Sequence, residues 1–415
     1  MGTRVIIYSG KGGTGKTTIS AASASLIASR GKKVLIMSSD PAHSLSDVIG
    51  KAISRDELTE LAPNLYGLEV DTVYEMRKSM GGFQKFMANA YEGRGVDSSV
   101  AAELSNQPGM DEILALNRLL IEYKSNKWDC IIVDTAPTGN TLRLLAYPEM
   151  IIGGTSGKNF FKVYRGFSSF VRPFRQQTPN DEFFKEVNKL MEMMNDLSAF
   201  IVADDVSVRL VLNPEKLPVM ETKRAYTFLS LYGIKMDSVI INKILPKEKQ
   251  LGAYFDYWVE LQAKYIKEIE DSFNPMPIFG SILEDEEPIG VKKLTPVAEK
   301  LFGASDPMQK LYDHPLIWLE EMPTNPRAPK ETHRRLCVRL PFIDEQDELY
   351  IEHNGTDVNV TAGRIQRAVS LPRVLVHSDL VSFYYEDGIL KMEFSEKPPE
   401  EIAWTDDPFF VGSNN

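Results

Sequence analysis

Two lysines, a threonine and two aspartates are the residues whose types and spacing could do chemistry in this chain. Lys11, Lys16 and Thr17 fall within Gly10, Lys11, Gly12, Gly13, Thr14, Gly15, Lys16, Thr17 and Thr18. Glycines at this density let the backbone fold closely around phosphate oxygens, with successive N–H groups pointing inward. At this spacing Lys16 reaches the β- and γ-phosphates of a nucleotide, and the Thr17 hydroxyl binds Mg²⁺. Asp40 and Asp134 each end a short apolar run, at residues 33–38 and 128–134. A carboxylate just past a strand's C-terminal end lies on the edge where open α/β sheets bind ligands. Asp40 therefore reads as the group that orients an attacking water near Mg²⁺, and equally as a helix N-cap before Pro41. Asp134 reads as an acid holding the Mg²⁺ shell through water, or as a strand-end cap. His43 reads as a capping or supporting group, since phosphoryl transfer asks for little proton abstraction.

The elements that must position these groups are legible around them. Residues 4–9 form a short β-branched run before the glycines, and a helical pattern opens at Lys16 and continues through Ala21, Ala22, Ala24, Leu26 and Ile27. Strand, glycine loop and helix are the context that a P-loop requires, and the helix N-terminus adds its positive end to the anion site. Further strands are expected at 65–70 and 238–242, and mostly helix from 75 to 123. The fold class is α/β, a mostly parallel twisted sheet flanked by helices.

Composition bounds the rest. At 415 residues two domains are expected, and 43% apolar with 25% charged residues is ordinary for a globular protein. A net charge of −11 argues against a nucleic-acid partner. No apolar run approaches the roughly 20 residues that span a bilayer. The first strand occupies the N-terminus, so a cytoplasmic location is expected. Cys130 and Cys337, far apart and outside any CxxC pair, fit a reducing compartment and no zinc site.

Lys11, inside the loop, resembles the second lysine of the deviant P-loop ATPases. With Asp40, Pro41, Ala42 and His43, and with residues 134–145, it makes roughly residues 1–303 closely resemble the arsenite-pump ATPase and tail-anchored-protein targeting-factor family. The resemblance implies ATP and Mg²⁺ as cofactors and a homodimer in which Lys11 crosses to the partner's nucleotide, the part an arginine finger plays. It also implies Glu215 beside the nucleotide across the dimer, and a loop over the base within 276–290. Asn242, an amide at a strand end, can pair with adenine's amine and ring nitrogen. Asn140 stands where the family usually has His.

An inserted helical subdomain is expected over about 72–125 and 150–200. There Phe160, Phe161, Phe167, Phe170, Phe174, Phe183, Phe184, Met191, Met193 and Met194 either line a groove for a hydrophobic client helix, as the resemblance implies, or fill a core. A membrane-protein receptor is a further partner implied. The arsenite pump binds As(III) through three thiols, and this chain has two cysteines. Beyond a proline-rich linker at 304–331, the apolar period switches from helical to two, as in an antiparallel β-sandwich. Residues 332–397 resemble the small-heat-shock (α-crystallin) domain, and an acidic tail fills 398–415. The expected function is a homodimeric ATPase that captures and releases hydrophobic, tail-anchored-type polypeptides. The alternatives are the energising subunit of an anion efflux system, or a regulatory scaffold ATPase with a protein-binding sandwich.

Overall fold

A computed structural model describes residues 2–40, 44–72, 74–75, 78, 110–135, 181–246, 252–322, 332–343, 349–363 and 365–396. Its centre is an eight-stranded sheet in the order β3-β4-β2-β5-β1-β6-β7-β8. The strands are β1 (Arg4–Ser9), β2 (Val34–Ser38), β3 (Thr59–Ala62), β4 (Leu65–Glu69), β5 (Cys130–Asp134), β6 (Val206–Leu212), β7 (Met236–Ile244) and β8 (Ile278–Ile282). All neighbours are parallel except β3 and β4. The inner strands β1, β2, β5 and β6 are buried at every residue, as sheets covered on both faces require.

The order of the strands assembles the chemistry. β5 lies between β2 and β1, with Asp134 level with Tyr8 on one side and Ser38 on the other. Three loops distant in sequence therefore leave the same sheet edge side by side.

Helix α1 (Lys16–Ser29) carries no amphipathic stripe, because it is buried nearly all round. Its Ala and Ser side chains let it pack closely on a later helix, Val291–Phe302. The hydroxyls of Ser23 and Ser25 bond back to the carbonyls of Ile19 and Ala21, so no polar group is stranded. Among the described residues, helices α2 (Ser44–Ile49) and α3 (Met110–Lys124) lie between β2 and β5, and α4 (Asp181–Ile201) precedes β6. In α4, Leu190, Met194, Leu197, Phe200 and Ile201 are buried in the core, while Met193 is partly buried against it. For Met194 the core reading holds. Phe160, Phe161, Phe167, Phe170, Phe174 and Asn140 lie outside the described residues, as do the side chains of Phe183 and Phe184.

Helices α5 (Lys216–Leu231) and α6 (Ala253–Phe273) flank β7, and α7 (Val291–Phe302) is the partner of α1. No helix among the described residues is long and apolar enough to cross a membrane.

Two antiparallel sheets complete the fold. One has the order β14-β15-β10-β9 and the other β11-β12-β13. They comprise β9 (Ile317–Glu321), β10 (Thr332–Arg339), β11 (Leu349–Asn354), β12 (Asp357–Ala362), β13 (Ile365–Ser370), β14 (Asp379–Glu386) and β15 (Ile389–Glu396). Leu336, Val338, Leu390, Met392 and Phe394 share one apolar cluster with Val358, Val360 and Val369. Ile317 and Leu319, within the stretch 304–331, lie in strand β9. Leu319 pairs with Leu336 of β10, which gives that strand a hydrogen-bonded neighbour the proline-rich flanks conceal.

The sandwich packs on the C-terminal half of α5. Phe342 stacks against Tyr226 and Phe273 at ring separations of 6.2 and 5.2 Å. Tyr232 donates to the Gln366 carbonyl at 3.0 Å, the Arg367 guanidinium donates to the Leu231 carbonyl, and Thr227 donates to the Pro341 carbonyl.

Candidate nucleotide site

Gly10 leaves β1 with φ +149°, and any side chain there would collide with the Val211 carbonyl on β6. Gly15, with φ +82°, caps α1, and a Cβ would overlap the Asn242 amide. Neighbouring strands thus press on the loop from outside, and only glycine leaves room.

Lys16 is buried and points back along the loop, its Nζ 3.4 Å from the Lys11 carbonyl. Burial lowers its pKa, opposed by Asp134 and Asp40. Thr17 donates to Asp134 Oδ2 at 2.8 Å and lies 3.2 Å from the Ser44 hydroxyl. Ser44 in turn donates to Asp40 Oδ2 at 3.0 Å. Thr17, Ser44, Asp40 and Asp134 therefore form one connected cluster. Asp134 is fully buried, and its Oδ1 has no hydrogen-bond partner. Burial pushes its carboxyl up to about 7, against the pull of Thr17 and Lys16. A buried, half-satisfied carboxylate beside two hydroxyls and a second carboxylate offers oxygen ligands of the kind a hard divalent cation takes.

Lys11 turns the other way. Its Nζ lies 3.1 Å from Glu221 Oε1 on α5, and both side chains are well exposed. Gly12 and Gly13 are exposed beside it, Thr14 is buried, and Thr18 is half-buried. Asn242 is buried and donates through Nδ2 to the Thr14 carbonyl at 2.8 Å. Beyond it, Ile282 and Leu283 at the end of β8 are exposed apolar groups on the same edge, within the stretch read as covering the base. Residues 278–282 of that stretch are strand β8, because they pair with β7.

Glu215 stands apart from the cluster. It is exposed at the N-cap of α5, on the rim of a cavity of about 510 Å³ that Leu217, Tyr254, Phe255 and Trp258 also line. His43 lies outside the described residues.

Sequence reasoning missed three contributors: Ser44, Glu221 as partner of Lys11, and Lys243, whose Nζ donates to the Gly13 carbonyl at 2.8 Å. Ser44 could have been found from its place four residues after Asp40, at the opening of a helix. The Lys243 contact depends on a left-handed backbone, φ 57°, which a lysine does not advertise.

Comparison with known proteins agrees with this geometry. The family model described as anion-transporting ATPase matches residues 3–303, and one described as the HSP20-like domain found in ArsA matches 331–394. A protein of Prosthecochloris vibrioformis, named as an arsenical pump-driving ATPase, is 35% identical over 94% of this chain and 96% of its own length. A similarly named protein of Aquifex aeolicus is 30% identical over 90% of this chain and 95% of its own. The ATPase get3 of Pyrenophora tritici-repentis is 31% identical over 74% of this chain and 93% of its own.

Proposed function

The chain belongs to the anion-transporting ATPase family, and on that premise we propose that it is a Mg²⁺-dependent, homodimeric, cytoplasmic ATPase that couples hydrolysis to capture and release of hydrophobic, tail-anchored-type polypeptides. The observation that carries the choice of client is the thiol inventory. Its two cysteines, Cys130 and Cys337, are buried in different sheets, and burial pushes their thiols up to about 12 and about 11. Arsenite capture through three thiolates has no basis in such a set.

The site residues then take these roles. The N–H groups of residues 10–18 cradle the phosphates, Lys16 neutralises the transferring group, and Asp40, held by Ser44, orients water. Thr17, Asp134 and Asp40 would hold Mg²⁺, which supplies charge neutralisation along the phosphate oxygens. The orphaned Oδ1 of buried Asp134 supports that fit. Lys11 exchanges its exposed bond to Glu221 for the partner subunit's nucleotide, and Glu215 and Asn242 contact nucleoside atoms. The segments about 72–125 and 150–200 supply the client surface, and a membrane receptor accepts the client.

A second reading, a scaffold ATPase whose sandwich binds a protein, is favoured by one feature. Edge strand β14 exposes Val381, Phe383, Tyr384 and Tyr385.

Co-purification from cells with and without Lys16→Ala tests the choice. Recovery of identified proteins bearing one terminal membrane helix, in an amount changed by the substitution, is the expected result. Recovery of water-soluble partners only would remove the client reading in favour of the scaffold.

A further inference from the structure

At the end of β7, two consecutive side chains reach the same loop. Asn242 Nδ2 donates to the Thr14 carbonyl and Lys243 Nζ donates to the Gly13 carbonyl, each at 2.8 Å. In a regular strand neighbours point to opposite faces, so both cannot reach one target. Here the rule is broken by a local device. Lys243 takes φ 57°, and the register between β7 and β8 slips between Ile241 and Ile244. Bulges of this kind re-aim a side chain next to functional sites. A left-handed lysine is a disfavoured conformation, and it persists only where surrounding contacts enforce it.

Gln262 of α6 supplies such contacts. Its Oε1 accepts the Leu245 N–H at 2.9 Å, and its Nε2 donates to the Lys243 carbonyl at 3.2 Å. One amide thus holds the backbone on both sides of the irregularity, while Lys243 itself reaches over the loop.

The effect on the cradle follows from peptide geometry. In a trans peptide the C=O and the following N–H point in opposite directions. Holding the Gly13 and Thr14 carbonyls from outside therefore turns the N–H groups of Thr14 and Gly15 away from β7, towards the loop interior. The Thr14 N–H donates across the loop to the Lys11 carbonyl at 3.4 Å, the same carbonyl that Lys16 Nζ approaches. We propose that Asn242 and Lys243, braced by Gln262, form an outer clamp that pre-shapes the phosphate cradle, and that Lys243 is a positioning residue for polyphosphate binding. The clamp acts before chemistry and touches neither the γ-phosphate nor the attacking water. Its loss weakens ground state and transition state alike, which raises KM and spares kcat.

The test uses the full chain with Lys243→Met, which keeps length and apolar stem, and Lys243→Arg, which keeps a cationic donor. Binding of ADP and of ATP, inhibition by inorganic pyrophosphate, and steady-state turnover are measured. Lys243→Met is expected to weaken ADP, ATP and pyrophosphate each by about tenfold, as loss of a charge-assisted hydrogen bond implies. KM rises in proportion, kcat stays within about twofold, and Lys243→Arg recovers most of the loss. Should Lys243→Met fail to fold, Gln262→Leu, which leaves the lysine in place, carries the same expectations. Unchanged ADP affinity would overturn the clamp. So would weakened ADP with unchanged pyrophosphate, which would put Lys243 on the nucleoside, and so would a fall in kcat at constant KM, which would put it on the transition state.

Discussion

At the N-terminal edge of the central sheet, Asp237 accepts hydrogen bonds from Arg209 Nε at 2.9 Å and Arg4 Nη2 at 2.8 Å, and the side chains of Arg209 and Asp237 are 0% exposed. At the opposite edge Lys11 meets Glu221 at 3.1 Å, with side chains 39% and 47% exposed. The chemistry of the two pairs is alike and their surroundings are not. Around Asp237 every partner is internal, with Ser207 donating to the same carboxylate and Arg209 reaching the Gln309 carbonyl. Burial works against that carboxylate, yet the two guanidiniums hold it below the usual carboxylate range. Breaking such a pair strands a charge out of water, whereas an exposed pair exchanges partners at little cost. Asp237 is therefore a fixed centre of charge, whereas Lys11, on the edge that carries the glycine loop, is an exchangeable one.

The contrast can be broken most forcefully at the sealed edge. Asp237→Ala leaves Arg209 unpaired in the core and is expected to cost about 3–5 kcal/mol in a denaturant titration. A loss under about 1 kcal/mol would mean the network is not sealed. Next comes the seam to the sandwich, where Tyr232→Ala removes the stack on Phe228 at 4.5 Å, the Arg367 contact at 5.4 Å and the bond to Gln366. About 3 kcal/mol of lost stability is expected, with both parts of the chain unfolding in one transition.

A pH-dependent contrast follows at His314, which meets the Tyr226 hydroxyl at 3.0 Å and whose pKa burial lowers to about 4. The unfolded chain, near the ordinary 6.5, binds the proton more readily between these values. Stability is therefore complete above about pH 6.5 and declines as pH falls towards 4, by at most about 3 kcal/mol. His314→Gln should flatten that acid limb, and an unchanged profile would contradict it. The smallest effect belongs to the exposed pair, where Glu221→Gln should change stability by less than about 1 kcal/mol and leave turnover undiminished. A large loss of either would show the bond to be structural.

Much of this was legible in the residues. The strand, glycine loop and helix announced themselves because the local backbone needs of phosphate binding leave few alternatives. The alternation of Val358 and Val360, and of Leu390, Met392 and Phe394, likewise marked a two-sided sheet. β9 was hidden because prolines flank it and its partner β10 begins only at Thr332. β3 is short and antiparallel at an edge, with no fully buried residue to set its pattern. Arg209 sits in a strand that is apolar but for it and Ser207, and nothing local tells that Asp237, 28 positions away, neutralises it. Glu221 as the resting partner of Lys11, and Lys243 as a loop ligand, are tertiary facts about where helices and a bulge end.

Whether Lys11 serves the partner's nucleotide is measured directly by mixing two inactive variants. Lys11→Ala lacks the crossing charge and Lys16→Ala lacks a competent loop, so each alone should turn over ATP at least about 10³-fold more slowly than the unmodified chain. In a mixed dimer the Lys11→Ala subunit keeps its own Lys16 and receives its partner's Lys11. Random pairing makes half of the dimers mixed, each with one working site, so an equal mixture should recover about a quarter of the original turnover. If the mixture stays as inactive as its components while forming dimers, Lys11 acts within its own subunit and the cross-subunit mechanism is wrong.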